Sequence, residues 1–174
     1  MLEILCLLGV FICLLFMPLP PLLLFLVAVC TLPAIYMAAQ NAPFLPFPRK
    51  NLQAIFCYLQ ENHKLKDKHF VDLGCGDGRV LQLASQAQLK ASGYEISFLT
   101  YLLAKFVTRK DPNISIFLQD FWKVDFQQCD IIYTFAQKKP MLKFAKEVWP
   151  NLKSQTVVIS AAFRMHGVKP DHIG

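Results

Sequence analysis

Three glycines at alternate positions, in Val71-Asp72-Leu73-Gly74-Cys75-Gly76-Asp77-Gly78-Arg79, constrain the fold more than any other feature of this chain. The run His69–Leu73 before them has the length and composition of a buried strand, and the stretch 79–88 after them has apolar residues at helical spacing. Lacking a Cβ, glycine lets the backbone turn sharply and approach a ligand closely. The unit reads as strand, tight turn and helix, with a ligand site over the turn. The dinucleotide fingerprint G-x-G-x-x-G would need glycine at position 79, where Arg79 stands, so the loop departs from the NAD signature.

The rest of the second half repeats that strand-helix alternation. Strands are expected at 69–73, 91–95, 114–118, 130–135 and 156–160, and helices at 79–88, 98–108 and 139–149. An amphipathic helix over 51–62 is predicted from Leu52, Ile55, Phe56 and Leu59. Such alternation implies an α/β fold, a parallel sheet covered by helices on both faces, with its ligand site at the carboxyl ends of the central strands.

The first part of the chain has a different character. In the stretch 1–39 only Glu3, Gly9, Thr31 and four prolines fall outside the apolar set, and Glu3 is the only charged side chain before Arg49. The first 48 residues therefore carry −1 and the remaining 126 carry +7, for +6 overall. Two apolar runs, 2–17 and 22–39, flank Pro18-Leu19-Pro20-Pro21, which cannot continue a helix. As helices each would be roughly 24–27 Å long, a little short of the ~30 Å hydrocarbon core. Residues 1–40 are expected to be a membrane anchor of two apolar segments in contact with lipid. Arg49 and Lys50 place the domain after it on the cytoplasmic side, which would be the matrix side in a mitochondrion. A secretory signal fits less well, because a basic start and a single short apolar run are missing. Residues 41–50, with three prolines, are expected to form an extended linker, and 51–174 the soluble domain.

Six cysteines are scattered without a C-x-x-C pair, and the four histidines are isolated. The cysteines read as buried free thiols in a reducing compartment, and no metal site is expected.

The loop resembles motif I of the class I S-adenosylmethionine-dependent methyltransferases. The resemblance assigns cofactor binding to Asp72, Gly74, Cys75, Gly76 and Gly78. It extends to Glu95 in Gly93-Tyr94-Glu95 at the second strand end, for the ribose hydroxyls, and to Asp120-Phe121 after the third, for the adenine amino group and ring. At the fourth strand end Tyr133-Thr134-Phe135-Ala136-Gln137 stands where amino-methylating enzymes of nucleobases carry (N/D)-P-P-(Y/F), which argues against DNA. With no aromatic-basic reading platform, no nucleic-acid partner is expected, and Lys138, Lys139, Lys143 and Lys146 read as a solvated helix face.

A narrower resemblance runs from Pro43 to Pro170: Pro43-Phe44-Leu45-Pro46 with Arg49-Lys50, the glycine loop, Asp120-Phe121-Trp122-Lys123-Val124, a late segment with Phe163, and Lys169-Pro170. It is similar to the membrane-anchored protein-lysine methyltransferases that include mitochondrial enzymes acting on the adenine nucleotide translocase and the ATP synthase c-subunit, and their bacterial relatives. That resemblance implies a Rossmann-like sheet, S-adenosylmethionine as cofactor, and methylation of lysine ε-amino groups in a protein substrate that can itself be a membrane protein. Tyr133, Phe135 and Trp122 are the expected catalytic aromatics, with Phe44 and Phe47 as a lid, since aromatic faces suit a sulfonium or a methylated ammonium. Alternatives are methylation of a quinone or lipid head group, or cofactor binding without catalysis. The family's sheet has two further strands, so five strands with the carboxyl-terminal ones missing are expected here.

Overall fold

The computed structural model describes residues 20–39 and 48–173, His166 excepted, together with Gly9 and Ile12. The chain divides into two compact units, Met1–Leu45 and Pro46–Gly174.

In the first unit Pro21–Ala39 forms helix α1. Proline suits its first turn, where the missing donor costs nothing, and the Pro20 carbonyl accepts the Leu23 and Leu24 amides at 2.9 and 3.2 Å. The second apolar run is thus helical, whereas all of the first run except Gly9 and Ile12 lies outside the described residues. Among the described residues no helix is long and apolar enough to cross a membrane.

The second unit opens with α2, Arg49–Asn62, which buries Leu52, Phe56 and Leu59 on one stripe. Arg49 and Lys50, expected in the extended linker, instead form its first turn. Pro48 supplies the cap carbonyl, accepting from Asn51 and Leu52. Next come β1 (His69–Leu73), α3 (Arg79–Gln86), β2 (Lys90–Glu95), α4 (Phe98–Thr108), β3 (Ile114–Leu118), β4 (Ile131–Thr134), α5 (Lys138–Glu147) and β5 (Val157–Ser160). The expected helix 79–88 stops two residues early, because Gln88 takes a left-handed φ of 64°. The expected helix 139–149 ends before Trp149, since Pro150 restricts the residue before it and a short 3-10 turn, Trp149–Asn151, replaces the last α turn.

Five strands form one parallel sheet in the order β3-β2-β1-β4-β5. The order reverses between β1 and β4, so the loops after these two strands diverge and leave a crevice at the carboxyl edge. One face of the sheet packs a core of Leu52, Phe56, Leu59, Phe70, Leu81 and Leu89 beneath α2 and α3. The other packs Val71, Leu73, Ile132, Met141 and Phe144 beneath α5. The register aligns Leu73 with Tyr94 and Thr134, and Glu95 with Leu118. Consequently the residues just beyond these positions, Gly74, Ile96, Gln119 and Phe135, share one edge.

Candidate active site

The glycine turn is shaped by three left-handed residues, Gly74 (φ 83°), Gly76 (φ 56°) and Gly78 (φ 82°), a conformation costly for other residues. The Gly74 and Cys75 amides donate to the Tyr94 carbonyl at 2.9 and 3.1 Å, which ties the turn to β2. Gly78 lies against α4: a Cβ there would stand 2.9 Å from Thr108 Cγ2 and 3.7 Å from the Ala104 Cβ. Gly93 serves a different need, because a Cβ on it would come within 2.7 Å of Cys75 and 2.5 Å of Leu81. Gly74 differs again, since a Cβ there would meet no atom within 4 Å, leaving open space over the turn.

Two buried acids belong to the strands on which the turn rests. Glu95 is buried at the end of β2, where its carboxylate accepts the Gly76 amide at 3.1 Å and the Ile96 and Ser97 amides at 2.8 Å each. It therefore staples the glycine turn to the start of α4. Asp72 lies next to Leu73 in β1, 2% exposed, and no hydrogen bond to its carboxylate is found among the described residues. Burial, then the nearby Glu95 and Asp77 charges, push its carboxyl well above the ordinary value. Burial, then the Asp72, Glu95 and Asp77 charges, push the Cys75 thiol up. Asp77, by contrast, loses some solvation but is held below its usual value by Arg79, whose Nε and Nη2 reach both carboxylate oxygens at 2.6–3.0 Å. That pair locks the second half of the turn, and the sequence reading missed it. The signal was available, since Asp77 is two residues from Arg79 within a turn. Ser97 was also missed: it stands at the N-cap position of α4, its amide donating to Glu95 and its hydroxyl accepting from Thr100.

Asp120 caps the 3-10 turn Phe121–Lys123, its carboxylate accepting the Trp122 amide at 3.1 Å. Phe121 and Trp122 pack with ring centroids 4.7 Å apart and planes tilted by 43°, and Lys143 Nζ sits 4.2 Å over the Trp122 ring. One indole face is therefore already occupied by a cation, and Lys143 is more than a solvated charge. Phe135 stands half-exposed just past β4. Tyr133 is not at the surface of the site. It is 2% exposed, stacked on Phe70 at 6.4 Å, with its hydroxyl buried and without a partner among the described residues, and burial raises its pKa. The structure thus places the Tyr133 ring in the core against Phe70, rather than on the open edge beside Phe135. Phe44 and Phe47 lie outside the described residues. Of the cysteines after the first unit, Cys75 and Cys129 are buried but Cys57 is exposed on α2, contrary to expectation.

The sequence profile of the ANTKMT methyltransferase domain matches residues 72–172, more than half of the chain and the whole of this edge. The chain belongs to the ANTKMT methyltransferase domain family. Among relatives of this family member, the human ATP synthase c-subunit lysine N-methyltransferase is 25% identical over 134 residues, covering 75% of this chain and 56% of that one. The rat protein of the same name is 26% identical over 133 residues, covering 75% and 60%. The chain thus spans little more than half the length of these relatives. In fold it is similar to an RNA methyltransferase from Salinibacter ruber in complex with S-adenosyl-L-homocysteine, with a TM-score of 0.65, 20% identity, and coverage of 74% and 84%. The five parallel strands and their helices are thereby a Rossmann-like methyltransferase fold.

The residues present fit a cofactor of that kind. The space over Gly74 is open, Glu95 is bonded to Gly76 of the same turn, Asp72 lies in the strand before it, and an aromatic pair follows β3 at the same sheet edge.

Proposed function

We propose that this chain transfers a methyl group from S-adenosylmethionine to the ε-amino group of a lysine in a membrane-associated protein. The observation that carries the reading is the open glycine turn between two buried acids at the point where the strand order reverses. The names of the human and rat relatives support lysine as the acceptor. The apolar stretch 1–39 supports a membrane location, with residues 1–40 against lipid and the catalytic unit on the cytoplasmic or matrix side.

When bound, the cofactor supplies a methyl group on a cationic sulfonium. Gly74 and Gly76 let the backbone lie close beneath it. A carboxylate offers about four acceptor positions, and three on Glu95 are taken by backbone amides, leaving one for a ribose hydroxyl without releasing the turn. Accepting both ribose hydroxyls would require Gly76 to let go. Asp72 becomes favourably placed once a cation stands near it, so the cofactor's positive charge offsets what burial costs this carboxyl. Asp120 and Phe121 would hold the cofactor's base. Phe135, half-exposed just past β4, would line the approach of the acceptor, where the amine must shed its proton and its water. Most of the acceleration comes from holding that neutral amine in line with the methyl group.

The test is transfer of labelled methyl from S-adenosylmethionine into membranes by the full chain, with protein and lipid then separated and the protein hydrolysed. N-methylated lysine carrying the label is expected. Label confined to lipid, or no transfer, overturns the assignment.

A further inference from the structure

Helix α4 is built inside out. Its buried residues are the small Ala104 and Thr108, whereas Phe98, Leu99, Leu102, Leu103, Phe106 and Val107 are exposed, Phe98 and Phe106 by 58% and 64%. An ordinary surface helix does the reverse. The packing explains the inner face: Ala104 and Thr108 lie against Gly78, where there is no room for larger groups. It does not explain the outer one. At 100° per residue those six side chains span about half of the circumference, a continuous apolar surface on a helix roughly 16 Å long. Patches of this kind mark interaction sites.

The charges select the occupant. Between Ile96 and Lys110 there is no acidic residue, while Lys105, Arg109 and Lys110 are all exposed beside the apolar arc, and the Arg109 guanidinium lies 3.9 Å over the Phe106 ring. A second copy docked symmetrically on this face would oppose like charges with no acid on the helix to balance them. The chain's own residues 1–45 carry only Glu3 to meet three cations. An anionic lipid surface answers both features, taking the large side chains among its acyl chains and the cations among its phosphates.

We infer that α4 is an interfacial helix that lies in the plane of an anionic membrane, through a contact separate from residues 1–40. Because α4 begins at Phe98, three residues after Glu95, this docking holds the carboxyl edge of β2 close to the lipid surface. The inference goes beyond methyl transfer and does not depend on it, since its readout needs no cofactor.

The experiment places a photoreactive benzoylphenylalanine at Phe106 of the full chain, with vesicles of phosphatidylcholine and phosphatidylglycerol, and identifies adducts by mass spectrometry after irradiation. The same group at Gln86, exposed on α3, is the control. Lipid adducts at 106 in at least tenfold excess over 86 are expected, because a tether through the first 40 residues alone would label both alike. Replacing Lys105 and Lys110 by glutamine should lower the adduct roughly fivefold for each cation removed, and so should vesicles of phosphatidylcholine alone. Equal labelling at 86 and 106, adducts only to the chain's own residues or to a second copy, or yields indifferent to anionic lipid each overturn the inference.

Discussion

Two strand-to-helix junctions meet at the carboxyl edge, and they are built in opposite ways. At the first, β1 delivers Asp72 into the interior with no hydrogen bond to its carboxylate among the described residues, and α3 turns Val80, Leu81 and Ala84 inward. At the second, β2 delivers Glu95, also buried but held by three backbone amides, and α4 keeps its large side chains outside. The first junction draws its stability from packing and leaves its acid uncompensated for a cationic ligand. The second draws its stability from hydrogen bonds to an acid and leaves its apolar surface uncovered.

The sharpest way to break this contrast is to cut the packing of the first helix. Leu81 is fully buried, so Leu81→Ala is expected to cost about 2–5 kcal/mol in denaturant unfolding, from lost burial and the cavity left behind. A cost below about 1 kcal/mol would show that α3 does not carry the core at this junction.

The hydrogen-bonded junction should fail differently. Glu95→Gln keeps the shape but turns an amide donor toward backbone donors, and charge-assisted bonds of this kind contribute about 1.5–3 kcal/mol. Lost thermal stability, together with faster hydrogen exchange of the Gly76, Ile96 and Ser97 amides, is the expected signature. Unchanged exchange would mean that the staple is not what holds the turn.

Asp72→Asn should move stability the other way, and with pH. Because the folded-state pKa of Asp72 is raised, the native state binds a proton that the unfolded chain has already released at intermediate pH. The wild-type contribution is then fully present below the ordinary carboxylate value near ~4 and is lost as pH rises toward the raised folded value. Melting temperatures of wild type and variant should coincide in acid and diverge toward neutral pH, the variant being the more stable. A gap that does not vary with pH would contradict the uncompensated state of this carboxyl.

These contrasts also mark how far the sequence could be read. The β1, α4 and β3 limits agree with the spacing, because alternating and 3.6-residue apolar patterns record which side chains a sheet or helix buries. The glycine turn was legible for the same reason, since three positive φ values demand glycine. What escaped were relations set by the third dimension. Tyr133 reads as a site residue at a strand end, but strand alternation turns its ring toward Phe70 and the core. Asp120 was expected to meet a base, and its carboxylate also caps a turn. Nothing in the composition of α4 reveals that its small residues face inward, because that depends on Gly78, a neighbour brought in by folding.

That last point gives the smallest expected effect. Leu103 on α4 is as apolar as Leu81 on α3, and a reading by composition would rank them alike. Leu103 is half-exposed on the outer arc, so Leu103→Ala is expected to change unfolding stability by no more than about 0.5 kcal/mol. Denaturant unfolding of the two alanine variants side by side measures the asymmetry directly. A loss at Leu103 approaching that at Leu81 would place the outer arc of α4 in the core, and remove the reason to look for a surface that covers it.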